Sequence, residues 1–155
     1  MAAPTVTQIK TRLVALCQTV PGIVTVLDAY PDDETPLTAA QLPAIVVRVS
    51  WQASNARESA NAYLMTMPYI LELNAALSSS TTALVNEAAL EALEPWVITI
   101  PTFFARRRRL ELNDSGLAVE CDVPQLVASA RMVRSAVTYA RLFFRMAVTT
   151  RHYVS

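Results

Sequence analysis

Residues Tyr63 to Ala75 alternate with a period of two. The odd positions, Tyr63, Met65, Met67, Tyr69, Leu71, Leu73 and Ala75, are all apolar; the even positions, Leu64, Thr66, Pro68, Ile70, Glu72 and Asn74, are mixed. One wholly apolar face at that period specifies a strand lying on a core. At about 3.3 Å per residue such a strand runs roughly 40 Å, which is long for a small protein. The pattern makes the sheet itself the product of this chain rather than a scaffold around a pocket. Pro68 cannot donate to a ladder, so an edge or a bulge is expected there. A long edge strand in turn needs a partner to cover it.

The flanking segments supply the rest of an α+β plan. Thr5-Val6-Thr7-Gln8 fits a capping box. The helix it opens has Val6, Ile9, Leu13, Leu16, Cys17 and Val20 on one stripe and stops at Pro21-Gly22. Ile23 to Ala29 reads as a first strand. Tyr30 to Gln41 reads as a loop, and Ile45, Val47, Val49 and Trp51 form the apolar face of a second strand. Gln52 to Ala62 is polar and reads as a second projecting loop, joining that strand to the long one. Ser78 to Ser80 offers caps for a helix with Leu84, Val85, Ala88, Ala92 and Leu93, up to Pro95. Trp96 to Arg109 is expected to be a kinked, two-piece helix with Pro101 starting its second piece. Asn113 to Gly116 reads as a turn and Leu117 to Val123 as a strand. Residues 124–136 fit either an extended or a helical course, and Leu142 to Thr149 alternates as a last strand. The expectation is a single domain over 1–155: a mostly antiparallel β-sheet with helices packed on one face, and projecting loops at about 30–41 and 52–62.

Charge and cysteine usage bound the partners. Apolar residues make up 53% and charged residues 17%, a balance that suits either a well-buried monomer or a surface partly covered by a partner. The net charge is zero, which argues against a general nucleic-acid binder. Residues 1–100 hold four basic side chains against nine acidic ones, a net of −5; residues 101–155 hold nine arginines against four acids, a net of +5. Such halves can neutralise each other within one subunit or between copies. Cys17 and Cys121 fall on apolar faces and read as buried reduced thiols, although spacing alone does not settle their pairing. The opening Met-Ala-Ala-Pro-Thr lacks the charged and apolar regions of a signal peptide, and no apolar run is long enough to span a membrane.

No catalytic constellation accompanies this framework. The single histidine, His152, is the fourth residue from the end of the sequence and reads as a surface residue. Isolated Gly22 and Gly116 make neither a dinucleotide nor a P-loop signature. Asp32-Asp33-Glu34 reads as a solvated acidic loop, since it lacks the alternating oxygen ligands of a calcium loop. No catalytic residue, cofactor or metal is expected. Arg106, Arg107, Arg108 and Arg109 form the most conspicuous charge run, with three readings open: a solvated helix end, pairing between subunits, or contact with a polynucleotide. Arg141, Phe143 and Arg145, on one parity of the last strand, mix aromatic and arginine as interfaces do. Together with Asp32, Asp33 and Glu34 these are the candidate interface residues.

The order of pieces resembles a known family. A capped helix ends at Val20-Pro21-Gly22-Ile23, then come a strand, an acidic loop and Leu37-Thr38-Ala39-Ala40-Gln41-Leu42-Pro43-Ala44-Ile45-Val46-Val47. A long hairpin, a helix bearing Trp96, a turn with Leu110 and a terminal strand with Tyr139 follow. This is similar to the tail terminator (tail completion) proteins of long-tailed bacteriophages over most of the chain, although the glycines such chains often carry around the last strands are absent. The resemblance implies a non-enzymatic structural virion protein of the tail and neck, made in the host cytoplasm. It would form a homo-oligomeric ring, expected to be a hexamer, that caps the tail tube and meets the head–tail connector protein in head–tail joining. DNA would at most pass through the lumen, and no membrane is involved. Another neck or head-completion adaptor, or a nucleic-acid-binding adaptor using Arg106 to Arg109, is the alternative.

Overall fold

The computed structural model describes residues 3–29, 37–76, 93–110, 120–134 and 137–154. They form an α+β fold: a seven-stranded, mostly antiparallel sheet with two helices packed on one face. Asp32, Asp33 and Glu34, the helix expected before Pro95 and the turn at Asn113 to Gly116 lie outside the described residues.

Helix α1 (Val6–Cys17) starts where the sequence places it. Thr5 Oγ1 accepts from the Gln8 amide at 3.1 Å, and Gln8 Oε1 accepts from the Thr5 amide at 2.8 Å, so both ends of the capping box are made. Ile9, Leu13, Leu16 and Cys17 are its buried stripe. Strand β1 (Thr25–Leu27) pairs in parallel with β2 (Ala44–Val49), the one parallel contact among the described strands. Strand β3 (Ser54–Ser59) turns directly into β4 (Ala62–Ala76). Helix α2 (Glu94–Ala105) has a proline in its first turn, where no amide partner is lost. Strands β5 (Glu120–Cys121), β6 (Gln125–Arg134) and β7 (Val137–Tyr153) complete the order.

The centre of the sheet is an unbroken antiparallel ladder between β4 and β7, from Ala62 opposite Tyr153 to Ala76 opposite Tyr139. Its front face carries Met67, Tyr69, Leu71, Leu73 and Ala75 from β4 and Ala140, Leu142, Phe144, Met146 and Val148 from β7. With α1 and with Ile100, Phe103 and Phe104 of α2, these side chains form one buried core. The alternation of Tyr63 to Ala75 thus translates into a core face, as a period of two requires.

Four expectations change. First, β4 is an interior strand and not an edge. On its outer flank β3 pairs up to Thr66 and β2 from Tyr69 onward, so Pro68 stands in the interval between them. The Pro68 carbonyl accepts from the Ser50 amide at 3.1 Å on that flank. In extended backbone a residue's nitrogen and carbonyl face the same side, so the missing donor faces Ser50, just past the end of β2, and the continuous ladder to β7 is left intact. Second, the segment read as a projecting loop over 52–62 contains β3, because a short polar run can pair through its backbone without any apolar face. Third, α2 is one helix that runs through Pro101 and ends at Ala105, before the arginine run. Fourth, Trp51 does not continue the apolar face of β2. It lies beyond the strand with φ +57° and is 69% exposed, and the chain changes direction there to enter β3. The ambiguous 124–136 segment is extended over β6.

Candidate functional site

The sheet's back face carries the even positions of β4 and the odd positions of β7. Across β2, β4 and β7 it presents Arg48, Ile70, Glu72, Asn74, Arg141, Phe143 and Arg145. Glu72 and Asn74 are buried. Arg48 Nη1 pairs with Glu72 Oε1 at 2.9 Å, and Arg141 Nε donates to Asn74 Oδ1 at 3.1 Å. Of the three candidate residues on this face, Arg141 is therefore held by the sheet, Phe143 is half-buried, and Arg145 is exposed. Phe143, Ile70 and the Arg48–Glu72 pair line a groove of about 470 Å³ whose far wall is Val127 and Ala128 of β6. Ser50 Oγ is buried in that groove with no hydrogen-bond partner among the described residues.

Strand β6 forms a rim to this face. Its one partner in the described sheet is β7, and a bulge at Val127 interrupts the register between Leu126 and Ala128. Five consecutive side chains, Gln125 to Ser129, are exposed, including Leu126 at 42% and Val127 at 54%. Successive strand residues point to opposite faces, so exposure of all five leaves both faces of this stretch open among the described residues. Leu126 and Val127 were not singled out from sequence, because their residue types are those of any core strand.

The arginine run is sorted by its backbone. Arg106 caps α2, the Arg107 amide donates to the Phe104 carbonyl at 2.9 Å, and the Leu110 amide to the Arg107 carbonyl at 2.9 Å. The Cys121 amide reaches the Arg108 carbonyl at 2.7 Å, and Leu110, with φ +50°, buries its side chain in the core. Arg12 Nε donates to the Leu110 carbonyl at 2.8 Å, fixing the same turn from α1. On this rigid turn the four side chains separate. The Arg107 guanidinium lies 3.8 Å from the Phe103 ring centroid and donates to the Phe103 carbonyl at 2.9 Å. Arg108 pairs with Glu120. Arg106 and Arg109 are exposed. The i, i+4 spacing of Phe103 and Arg107 was the available signal for the stacked pair.

The free end of the central ladder forms a three-stranded arm. All six β3 side chains are exposed, and Arg151 of β7 holds Glu58 of β3 with two bonds, at 2.7 and 2.6 Å. His152, expected as a frayed surface residue, is instead half-buried in β7. Its ring stacks on Tyr63 with centroids 5.1 Å apart, and Nε2 is 2.8 Å from Thr150 Oγ1.

Both thiols are unpaired and buried. Burial pushes the Cys17 thiol up to about 12 and Cys121 up to about 11, the latter raised further by Asp122. Among the described residues no three His, Cys, Asp or Glu side chains converge as metal ligands would. A groove of about 760 Å³ lies between α1 and the β1–β2 edge, with Val14, Val26 and Val49 inside and Lys10, Asp28 and Trp51 at its rim. No protein-family model matches this sequence, and no characterised protein is detectably similar to it.

Proposed function

We propose that this protein is a structural ring subunit of a bacteriophage virion, acting at the head-proximal end of a tail. Copies of the chain, expected to number six, close into a ring that caps the tail tube and meets the head connector, and the protein performs no chemistry of its own. The observation that carries this reading is β6: an edge strand of the described sheet with five successive exposed side chains, two of them large and apolar, beside a back face of Phe143, Arg48 and Arg145. Such a strand is an aggregation hazard unless a partner covers it. The sequence divides into a part of net −5 and a part of net +5, a composition that suits the unlike patches of a head-to-tail contact. The resemblance of the element order to tail terminator proteins names the kind of assembly.

Mass measurement by chromatography with light scattering, followed by electron microscopy, tests the reading. A closed multimer, or a ring formed on tail tubes, is the expected result. A monomer at every concentration that also fails to bind tail tubes overturns it. A polynucleotide adaptor would instead show DNA affinity that falls steeply with salt. Arg107 and Arg108 already have partners inside the subunit, which leaves Arg106 and Arg109 as the outward pair of the run.

A further inference from the structure

We propose that an open groove between the turn that follows α1 and the outer face of α2 receives the acidic segment Asp32-Asp33-Glu34 of a neighbouring copy. This rests on the self-assembling reading above and names the surface through which one copy takes the next. The groove, of about 380 Å³, has Thr19 and Pro21 on one side and Ile98, Thr102 and Arg106 on the other. Ile98 is 60% exposed, an apolar side chain on a helix face that nothing described covers. Arg106 is exposed and has no ion-pair partner among the described residues. Beside it the Arg107 guanidinium, flattened on Phe103, extends a cationic wall. Arg109 follows on the same pinned turn.

The groove is thus cationic at one end and apolar at the other. Its complement is a short segment with clustered carboxylates and apolar neighbours. Tyr30-Pro31-Asp32-Asp33-Glu34-Thr35-Pro36-Leu37 has that composition, with three consecutive acids bracketed by prolines. Arginine is the cation suited to such contacts, because its fork can hold a carboxylate with two bonds. The three carboxylates of that segment complement the Arg106 and Arg107 wall in charge, and a second copy of the chain is the occupant that carries them. Donor and acceptor surfaces are different patches, so the contact is heterologous and repeats around a ring.

The test is a directed disulfide in the full chain. Thr102→Cys and Asp33→Cys are made separately, mixed and mildly oxidised. The native Cys17 and Cys121 are buried and do not compete. A disulfide-linked dimer that appears on mixing, and with neither variant alone, is expected. Arg106→Glu should weaken association about tenfold, with Asp33→Arg in the same chain restoring it. No linked dimer, or no restoration, while the unmodified protein still assembles, overturns this contact and leaves the ring standing. An unmodified protein that neither self-associates nor binds tail tubes removes both.

Discussion

Arg48 Nη1 lies 2.9 Å from Glu72 Oε1, yet the two side chains differ in exposure, the arginine at 59% and the glutamate at 3%. The pair is therefore asymmetric. Removing the arginine leaves a buried carboxylate short of a charge-assisted bond, whereas removing the carboxylate's charge leaves a guanidinium that water can solvate. Arg48→Met should cost about 1–2 kcal/mol and Glu72→Gln less than about 1 kcal/mol. Urea unfolding of both variants and of the double variant measures the difference. Equal costs would show that the two groups are equally solvated.

Gly22 and Trp96 are in similarly unforgiving contact. Gly22 has φ +87°, and a Cβ placed there would meet the Trp96 ring at 3.0 Å. The Pro21-Gly22 stop is thus both a left-handed turn and the seat of an indole. Gly22→Ala should destabilise by about 2 kcal/mol, from backbone strain plus overpacking. Trp96→Leu combined with Gly22→Ala should recover the packing part and leave the strain, which thermal melts of the two variants would separate.

The thiols make a pH prediction. A cysteine ordinarily ionises near 9, whereas Cys17 is pushed up to about 12 and Cys121 to about 11 by burial. The folded state therefore holds both protons after the unfolded chain has released them. Their contribution is fully present below pH 9 and is lost as pH rises from there towards 11 and 12. Unfolding titrations between pH 8 and 11 should show stability falling above 9. At pH 8 a thiol reagent should find no reactive cysteine in the folded protein and two in denaturant. Rapid labelling of the native protein would contradict the burial of these groups.

What was legible in the sequence followed hydrophobic period. The front faces of β4 and β7 and the buried stripe of α1 came directly from alternation and helical spacing, because burial against one core imposes those periods. β3 and β6 were missed or left open for the complementary reason. Ser54 to Ser59 and Gln125 to Ser129 are exposed throughout, so no face was selected to be apolar. What places them is chiefly backbone pairing to β4 and β7, which residue type does not encode. Pro68 illustrates a related limit: a sequence reveals the missing donor but not the flank it faces. Likewise, four consecutive arginines carry no mark of which one folds back on Phe103 and which meets Glu120.

Arg107 and Arg106 are neighbours with different consequences. Arg107→Ala removes a ring contact at 3.8 Å and a bond to the Phe103 carbonyl at 2.9 Å, and should cost about 1–2 kcal/mol. Arg106→Ala touches neither and should stay within about 0.5 kcal/mol of the parent. Denaturant midpoints compare them. An unstable Arg106→Ala would mean that its exposed side chain supports the fold and is unsuitable as an assembly probe.

Trp51 gives the least conventional expectation. Its φ of +57° is a left-handed conformation that costs a bulky residue about 1–2 kcal/mol. With the residue 69% exposed, little apolar burial offsets that strain within the chain. Trp51→Asn, a residue that tolerates the conformation, should therefore stabilise the isolated subunit by about 0.5–1 kcal/mol. If copies or partners cover the indole, the same substitution weakens assembly while strengthening the subunit, an opposition that no purely structural role produces. Denaturant unfolding of the monomeric protein, set beside sedimentation of any assembly it forms, reads both signs. A subunit weakened by more than about 1 kcal/mol would show that the indole packs against its own fold.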